Sequence, residues 1–254
     1  MDAGRPTAIS TTGLTKQFHG FTAVNAVDLA VAEGDVHALV GPNGAGKTTL
    51  FNLLTGFLKP SGGQIRLGDT DVTGAPPERI ARLGVARSFQ ITSLFDQLTL
   101  QQHLEMALLA GSSLRYRFWV SDRALSRFSD RAAELLDEVG LGRHRDVEAG
   151  TLAYGQKRAL ELALALALDP KVLLLDEPTA GMGLEDVDRT VELIGRVRSG
   201  RTVVLVEHNM SVVAGLADRV TVLQFGQVLV EGTYDEVRGD SRVIDAYLGG
   251  ESAA

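Results

Sequence analysis

The chain of 254 residues has a formal net charge of −7, no cysteine and 44% hydrophobic residues. These values exclude disulfides and thiolate metal sites and argue against a surface that binds nucleic acid throughout. No stretch approaches the roughly 18–20 apolar residues of a membrane span, and the first six residues lack the apolar core of a signal peptide. We expect a soluble protein with one large α/β domain or two smaller ones, so that any membrane process would need another chain to cross the bilayer.

The N-terminal third predicts three strands, at residues 9–14, 27–31 and 36–40, with a turn at Glu33 and Gly34 before the third. Residues 16–21 connect the first two strands. They include Phe18, which directly follows the first strand and either packs against the protein or stacks on a planar ligand.

A glycine-rich loop follows the third strand and has the spacing G-x-x-x-x-G-K-[ST] of a phosphate-binding loop. Its glycines let backbone N–H groups approach an anion, and a helix predicted over residues 47–54 directs its positive end at the same place. A chance glycine-rich turn is disfavoured because a strand precedes the loop and a helix follows it. The predicted nucleotide-binding residues here are Gly41, Pro42, Asn43, Gly44, Ala45, Gly46, Lys47, Thr48 and Thr49.

Two side chains of this loop have specific predicted roles. Lys47 can reach the β and γ phosphates as a point charge, and the Thr48 hydroxyl is placed to ligate Mg²⁺. The loop therefore predicts ATP-type chemistry with Mg²⁺.

The next segments are a strand at residues 64–67, a helix at 76–83 with proline in its first turn, and a strand at 85–89. The last of these ends at Gln90. A glutamine at the carboxyl end of a strand can face the ligand crevice of an open α/β sheet, although most glutamines do not.

From residue 98 to 147 the pattern becomes helical throughout, which predicts a helical subdomain set into the α/β core. Residues 114–119 interleave arginine with aromatic residues, and Arg123, Arg127 and Arg131 share one helix face. A solvated face is favoured over a membrane-binding or partner-binding face. The predicted apolar stripe consists of Leu125, Phe128, Ala132, Leu135, Leu136 and Val139.

A Leu-Ala-Tyr-Gly-Gln motif at residues 152–156 precedes a helix predicted over residues 157–168, which Asp169 and Pro170 end. Gly155 lies at the helix start, where free N–H groups can meet an anion. The alternative is an ordinary helix cap.

Two buried strands then end in polar residues. Residues 172–175 lead into Asp176 and Glu177, which suit a Mg²⁺ ligand acting through water and a base for the attacking water. Residues 202–206 lead into Glu207 and His208, whose imidazole could donate to a phosphate. A hairpin at residues 220–231 and a terminal helix through Tyr247 complete the chain.

This ordered set of motifs resembles the nucleotide-binding subunit of ATP-binding-cassette (ABC) transporters over nearly the whole chain. The resemblance implies an α/β fold: a P-loop NTPase core of ABC ATPase type with an antiparallel β subdomain and an inserted α-helical subdomain. Residues 1–254 would form a single domain, with the core at 1–93 and 170–254 and the helical subdomain at about 94–169.

The resemblance also implies roles. Phe18 would stack on adenine, Gln90 would sense Mg²⁺ and the attacking water, and His208 would be the switch histidine. Catalysis would involve Glu177, His208 and Gln90, and Mg²⁺ would be served by Thr48, Gln90 and Asp176. A second group would contact the ATP held by the opposite subunit of a dimer: Ala153, Tyr154, Gly155 and Gln156.

Two motifs depart from the common family form. Ala153 stands where a serine is usual, which removes a hydroxyl from the predicted γ-phosphate contact. Residues 180–183 read Ala-Gly-Met-Gly where Ser-Ala-Leu-Asp is usual, so an acid is missing from that loop. We expect a weakened contact and not a dead site.

Three stretches resemble the subgroup that serves branched-chain amino acid importers: the Leu-Ala-Tyr-Gly form at residues 152–155, the helical insertion containing residues 116–119, and the ending at residues 244–249. Urea and amide importers and the lipopolysaccharide-export ATPase look similar. The partners implied are permease subunits on separate chains, a second ATPase subunit, with a heterodimer favoured over a homodimer, and, indirectly, an external substrate-binding protein. The location implied is peripheral, at the cytoplasmic face of the membrane. A soluble ABC ATPase acting on nucleic acid or ribosomes is disfavoured by the single cassette and acidic charge, and a non-hydrolysing module by Glu177 and His208.

Overall fold

The protein is described by a computed structural model covering residues 5–88, 94–112 and 122–248, with only the backbone described at 122–125 and 248. In these residues ten strands form two sheets. The smaller sheet is antiparallel, with the order β2-β1-β4-β5. Its strands are β1 (Thr7–Phe18), β2 (Phe21–Ala32), β4 (Gly62–Leu67) and β5 (Thr70–Asp71).

The larger sheet has the order β10-β9-β3-β8-β7-β6. Neighbouring strands from β9 to β6 are parallel, and β10 is antiparallel to β9. The carboxyl ends of the parallel strands therefore meet along one edge, where open α/β sheets bind ligands. The strands are β3 (Val36–Val40), β6 (Val85–Arg87), β7 (Val172–Asp176), β8 (Thr202–Val206), β9 (Arg219–Gln224) and β10 (Gln227–Gly232).

Helices cover both faces of the larger sheet. Short 3₁₀ turns lie at Gly142–His144 and Ala149–Thr151. The α-helices are α1 (Lys47–Leu54), α2 (Pro77–Arg82), α3 (Leu100–Gly111), α4 (Asp122–Glu138), α5 (Tyr154–Leu166), α6 (Leu184–Val197), α7 (Met210–Leu216), α8 (Tyr234–Gly239) and α9 (Ser241–Leu248).

The central strands are apolar on both faces, as expected for parallel strands covered by helices. In β7, Leu173 and Leu175 pack into the cluster that includes α5 and α6, whereas Leu174 packs into the cluster that includes α1. This period-2 alternation fixes the register, because a slip of one residue would exchange the two faces. The sheet therefore holds α1 and α5 on opposite sides.

The predicted helical stripe is confirmed where its side chains are described. Ala132, Leu135, Leu136 and Val139 are buried in the cluster with α5, and Phe128 is half-buried. Arg127 is exposed and Arg131 pairs with Glu134, as the solvated-face interpretation expects. The side chains of Leu125 and Arg123 and all of residues 114–119 lie outside the described residues.

Several predicted bounds were wrong. The first two strands extend to a tight hairpin, because the pairing of β1 with β2 continues to Phe18 and Phe21. The helical segment 98–147 is divided into α3, α4 and a 3₁₀ turn, and the terminal helix is two short helices. Helix α5 begins three residues before its predicted start. In the part of the chain described, no helix combines the length and apolarity of a membrane span.

Candidate functional site

Three strand ends form the floor of the candidate site. Leu39 of β3 and Asp176 of β7 lie on either side of Val206 of β8, in one row across the sheet. One to two residues beyond this row, the three strands lead into Gly41, Glu177 and Glu207 respectively. The fold therefore brings together the glycine-rich loop and both pairs of polar residues that the sequence singled out.

The backbone of the glycine-rich loop requires glycine at two closely packed positions. Gly41 has φ +148°, and a Cβ there would lie 2.1 Å from the Leu223 carbonyl oxygen. Gly46 has φ +99°, and its Cβ would lie 2.4 Å from the Ala23 carbonyl oxygen. The loop is thus held between β9 and β2 at distances that no side chain would allow, as the predicted phosphate cradle needs.

Lys47 is the first residue of α1 and is only 8% exposed. Its ammonium donates to the carbonyl oxygens of Gly41 and Pro42 at 2.7 and 3.0 Å. Burial lowers the pKa of Lys47, and the nearby carboxylates of Glu177 and Asp176 partly offset that effect. The predicted phosphate lysine therefore lies beside Glu177, the predicted base, and Asp176, the predicted Mg²⁺ ligand.

The Asp176 carboxylate is buried and pairs with a cation that sequence reasoning missed. Arg87, at the end of the neighbouring strand β6, donates Nη2 to Asp176 Oδ2 at 2.6 Å and Nη1 to Asn52 Oδ1 at 2.6 Å. The guanidinium also lies over the rings of Phe51 and Phe57. The acid predicted to hold Mg²⁺ through water therefore already has a charged partner from its own chain.

The donor set fits Mg²⁺ bound together with a nucleotide. Thr48 is exposed in the first turn of α1, and in the described ranges no protein hydrogen bond is assigned to the second oxygen of Asp176. A hydroxyl and a carboxylate are hard oxygen ligands suited to Mg²⁺. Among the residues the structure describes, no group of three His, Cys, Asp or Glu side chains could hold a metal alone. Phosphate oxygens and water would have to complete the coordination.

Glu177 is half-buried and occupies the left-handed backbone region, with φ +46°. Its N–H donates to the Val206 carbonyl at 2.9 Å, and its carbonyl accepts from Ala180 N–H at 3.1 Å. Left-handed backbone is costly for a residue with a side chain and is concentrated at functional sites. The turn therefore holds Glu177 at the sheet edge through the backbone, independently of its carboxylate.

His208 and Glu207 follow β8 in contrasting environments. The His208 side chain is 61% exposed, whereas the Glu207 side chain is fully buried. The Glu207 carboxylate accepts hydrogen bonds from Thr179, His208 and Asn209. Sequence reasoning named Glu207 only as the neighbour of His208; a lone acid directly after an apolar strand was the available signal.

Helix α5 begins at Tyr154, so the motif at residues 152–156 forms its N-cap and first turn. The cap position is Ala153, which has no side-chain acceptor, and the Gln156 side chain accepts from its backbone N–H at 3.1 Å. A Cβ at Gly155 would lie 3.2 Å from the Asp186 carboxylate at the start of α6. The predicted placement of Gly155 at a helix start is confirmed, while an anion contact there stays a prediction.

The Tyr154 hydroxyl joins the two motifs that depart from the family form. It donates to the Ala180 carbonyl at 3.0 Å and accepts from Arg158 Nη2 at 3.0 Å. Ala180 begins the loop that lacks the usual acid. The start of α5 therefore contacts a loop of its own subunit through the phenol of Tyr154, at a position where the usual family motif, Leu-Ser-Gly-Gly-Gln, has glycine.

The described structure does not place two of the predicted site residues at the sheet edge. Phe18 ends β1 in the antiparallel sheet, 38% exposed, with the Lys16 ammonium 5.0 Å from its ring centre. This leaves both stacking and packing open. Gln90 lies outside the described residues.

Comparisons with known proteins show which family has this arrangement. The ABC transporter family matches residues 24–180, and the branched-chain amino acid ATP-binding cassette transporter family matches residues 227–253. The chain is 42% identical to the high-affinity branched-chain amino acid transport ATP-binding protein BraF of Pseudomonas aeruginosa, covering 95% of this chain and 97% of BraF.

Solved structures agree with the sequence comparison. A cassette of an ABC transporter in its ADP conformation has a TM-score of 0.86 at 29% identity, covering 96% of this chain and 99% of that one. The dimeric structure of a bacterial ABC transporter cassette has a TM-score of 0.75 at 25% identity, covering 89% and 98% respectively. The fold class implied by the sequence resemblance is confirmed. The chain belongs to the ABC transporter family, whose ATP-binding cassettes hydrolyse ATP.

Proposed function

We propose that this chain is the ATP-hydrolysing subunit of a membrane importer for branched-chain or other hydrophobic amino acids. One observation carries the substrate assignment: similarity to BraF extends over 95% of the chain, and the C-terminal residues 227–253 match the branched-chain amino acid family specifically. The ATPase part of the proposal is supported by the sheet edge, where Lys47, Asp176 and Glu177 are neighbours.

The proposed chemistry uses groups of this chain in separate roles. Lys47 exchanges its loop carbonyls for phosphate oxygens, which are stronger acceptors for an ammonium. Thr48 and Asp176 would hold Mg²⁺, which would neutralise charge on the phosphates when bound. Glu177 accepts a proton from the attacking water, and His208 is exposed enough to donate to the γ-phosphate. Phe18 stacks on the adenine. Gln90, which lies outside the described residues, would sense Mg²⁺ and the attacking water.

Hydrolysis is proposed to require a dimer of cassettes. The start of α5 lies against its own loop at Ala180 and its own α6 at Asp186, on the opposite face of the sheet from α1. Its N-terminal turn, with Gly155 and Gln156 half-buried beside the exposed Tyr154, is proposed to meet the ATP of a second cassette. The dimeric solved cassette supports this assembly, and a heterodimer remains the favoured form.

The remaining partners follow from the importer assignment. Permease subunits on separate chains would span the membrane, with this chain peripheral at its cytoplasmic face and a substrate-binding protein acting outside. Residues from about 94 to 169 would form the helical subdomain that transmits closure to the permease, between core segments at 1–93 and 170–254. No nucleic-acid partner is proposed.

The test is uptake of labelled leucine by cells whose only copy carries Glu177→Gln, with isoleucine, valine and urea as competitors. A general base contributes about 10²–10⁴-fold to rate, so we expect uptake to fall at least a hundredfold. The matched control is Glu33→Gln, the same change at an exposed turn, which should leave uptake unchanged.

Each outcome tests a different part of the proposal. Loss of leucine uptake, with competition by isoleucine and valine in the wild type, supports a branched-chain importer. Competition by urea alone would reassign the substrate, and unchanged leucine uptake in a strain without another leucine importer would overturn it. Purified Glu177→Gln protein that still turns over ATP at the wild-type rate would remove Glu177 from the base role.

A further inference from the structure

Glu207 is a buried acid that the proposed reaction does not use. Its side chain is fully buried, yet its two carboxylate oxygens receive four hydrogen bonds. Four donors converging on two oxygens form the environment of an ionised carboxylate. Burying such a charge is costly unless it is fully hydrogen-bonded, so all four donors must keep their positions for the carboxylate to stay buried.

The four bonds divide evenly between two loops. Oε1 accepts from the N–H of Thr179, at 3.2 Å, and from its hydroxyl. Oε2 accepts from the N–H groups of His208 and Asn209, at 3.0 and 3.2 Å. One oxygen therefore holds the turn that follows Glu177, and the other holds the segment that carries His208.

The backbone around Glu207 adds two further connections. Its own N–H donates to the Leu39 carbonyl at 3.4 Å, next to the glycine-rich loop, and the Glu177 N–H donates to Val206 at 2.9 Å. The carboxylate thus lies where β3, β7 and β8 end together. A shift of either flanking loop must break two bonds to a buried charge, which makes independent movement of the loops costly.

We infer that Glu207 is a positioning residue: its carboxylate fixes the turn that carries Glu177 relative to the segment that carries His208. This inference rests on the proposed roles of those two residues. Glutamine cannot replace the acid, because its NH₂ group must face either the Thr179 N–H or the N–H groups of His208 and Asn209. The Thr179 hydroxyl can turn to accept from that NH₂, but its N–H then loses its partner.

The first test compares Glu207→Gln with wild type in the reconstituted transporter complex containing the full chain. We expect kcat for ATP hydrolysis to fall about 10- to 100-fold, the effect of leaving a buried donor unpaired beside the reacting groups. KM for ATP and the affinity for a fluorescent ATP analogue should change less than twofold, because Lys47 and its loop are untouched. Glu33→Gln is the matched control and should behave as wild type.

A second series removes the dependence on one variant that could fail to fold. Thr179→Val deletes one of the four donors, and Thr179→Ser restores it. We expect kcat to fall about threefold to tenfold in the valine variant, whose melting temperature should fall by about 5 °C, and both should recover in the serine variant. Equal kcat in the valine and serine variants would overturn the inference.

Two other results would also overturn it. Wild-type kcat in Glu207→Gln would show that the carboxylate is dispensable, and parallel losses of kcat, ATP affinity and melting temperature would show a purely structural role. Glu177→Gln measured in the same assay separates this inference from the proposed function. If Glu177→Gln is inactive while Glu207→Gln is normal, only the positioning role fails; if Glu177→Gln is active, the proposed base fails.

Discussion

The carboxyl edge of the larger sheet and the start of α5 are built in opposite ways. At the sheet edge, Asp176 and Glu207 are buried and their charges are met by partners from this chain. At the start of α5, Tyr154 is 48% exposed and Ala153 caps the helix without a side-chain acceptor. The difference agrees with the proposed division of the ATP site, in which the sheet edge holds the nucleotide of its own subunit and the start of α5 meets the nucleotide of a second subunit.

The strongest way to break this comparison is to remove the internal partner of Asp176. Arg87→Met keeps a long side chain over Phe51 and Phe57 but deletes the charge. Breaking a buried ion pair by removing one partner costs about 3–5 kcal/mol, so the free energy of unfolding should fall by that amount. Urea denaturation of the purified chain without nucleotide measures it.

The matched control for Arg87 is Arg242→Met, which deletes a surface pair with Asp240. Exposed ion pairs contribute little, so its urea midpoint should stay near that of wild type. If both variants unfold at the wild-type midpoint, Arg87 does not stabilise the buried charge of Asp176. The contrast between the sheet edge and the start of α5 would then fail.

A second prediction concerns a buried histidine inside β3, below the sheet edge. His37 lies inside β3 with its Nε2 2.7 Å from the Thr221 hydroxyl, and burial lowers the pKa of His37 to about 4, against the opposing effect of Glu231. An unfolded histidine titrates near 6.5. Between pH 4 and 6.5, therefore, this histidine binds a proton in the unfolded chain and not in the folded chain.

The sign of the pH effect follows from that difference. The stabilisation by neutral His37 is complete above pH 6.5 and is lost as the pH falls to 4, an effect of about 3 kcal/mol on the free energy of unfolding. Urea titrations at half-unit intervals measure the slope. In His37→Gln the free energy of unfolding should lose about 3 kcal/mol less than in wild type when the pH falls from 6.5 to 4. An equal loss in both proteins would assign the effect to other groups.

The smallest expected effect sharpens the exposed side of the comparison. Tyr154→Phe removes the hydroxyl that bonds to Ala180 and keeps the ring beside Arg158. An exposed hydrogen bond contributes about 0.5–1.5 kcal/mol, so hydrogen exchange at residues 180–183 should speed up about two- to tenfold. Tyr234→Phe, the same change in α8, serves as the control and should leave this exchange unaltered.

The sequence allowed prediction of the parts whose signals are local. An apolar run predicted β3, β7 and β8, and glycine spacing predicted the loop at residues 41–48, because buried parallel strands and close backbone approaches restrict residue type. The roles of Lys47, Asp176 and Glu177 followed from their places in or directly after these segments, and the parallel sheet then brings them to one edge.

The contacts that could not be predicted join residues distant in the chain. Arg87 and Asp176 are 89 positions apart, and Thr179 and Glu207 are 28 apart. Their pairing depends on the order in which β6, β7 and β8 lie side by side, and no sequence period encodes that order. The start of α5 at Tyr154 was missed for a different reason: Ala153 is a poor N-cap residue, and the Gln156 side chain supplies the cap by accepting from its N–H.

The Tyr154 bond to Ala180 limits how this cassette can be re-engineered. A designer who restores the usual motif by changing Ala153 to serine and Tyr154 to glycine gains a hydroxyl but removes the anchor of the loop that begins at Ala180. The two departures from the family form are thus in contact through one hydroxyl. Exchanging residues 180–183 together with the common motif would replace both sides of that contact at once.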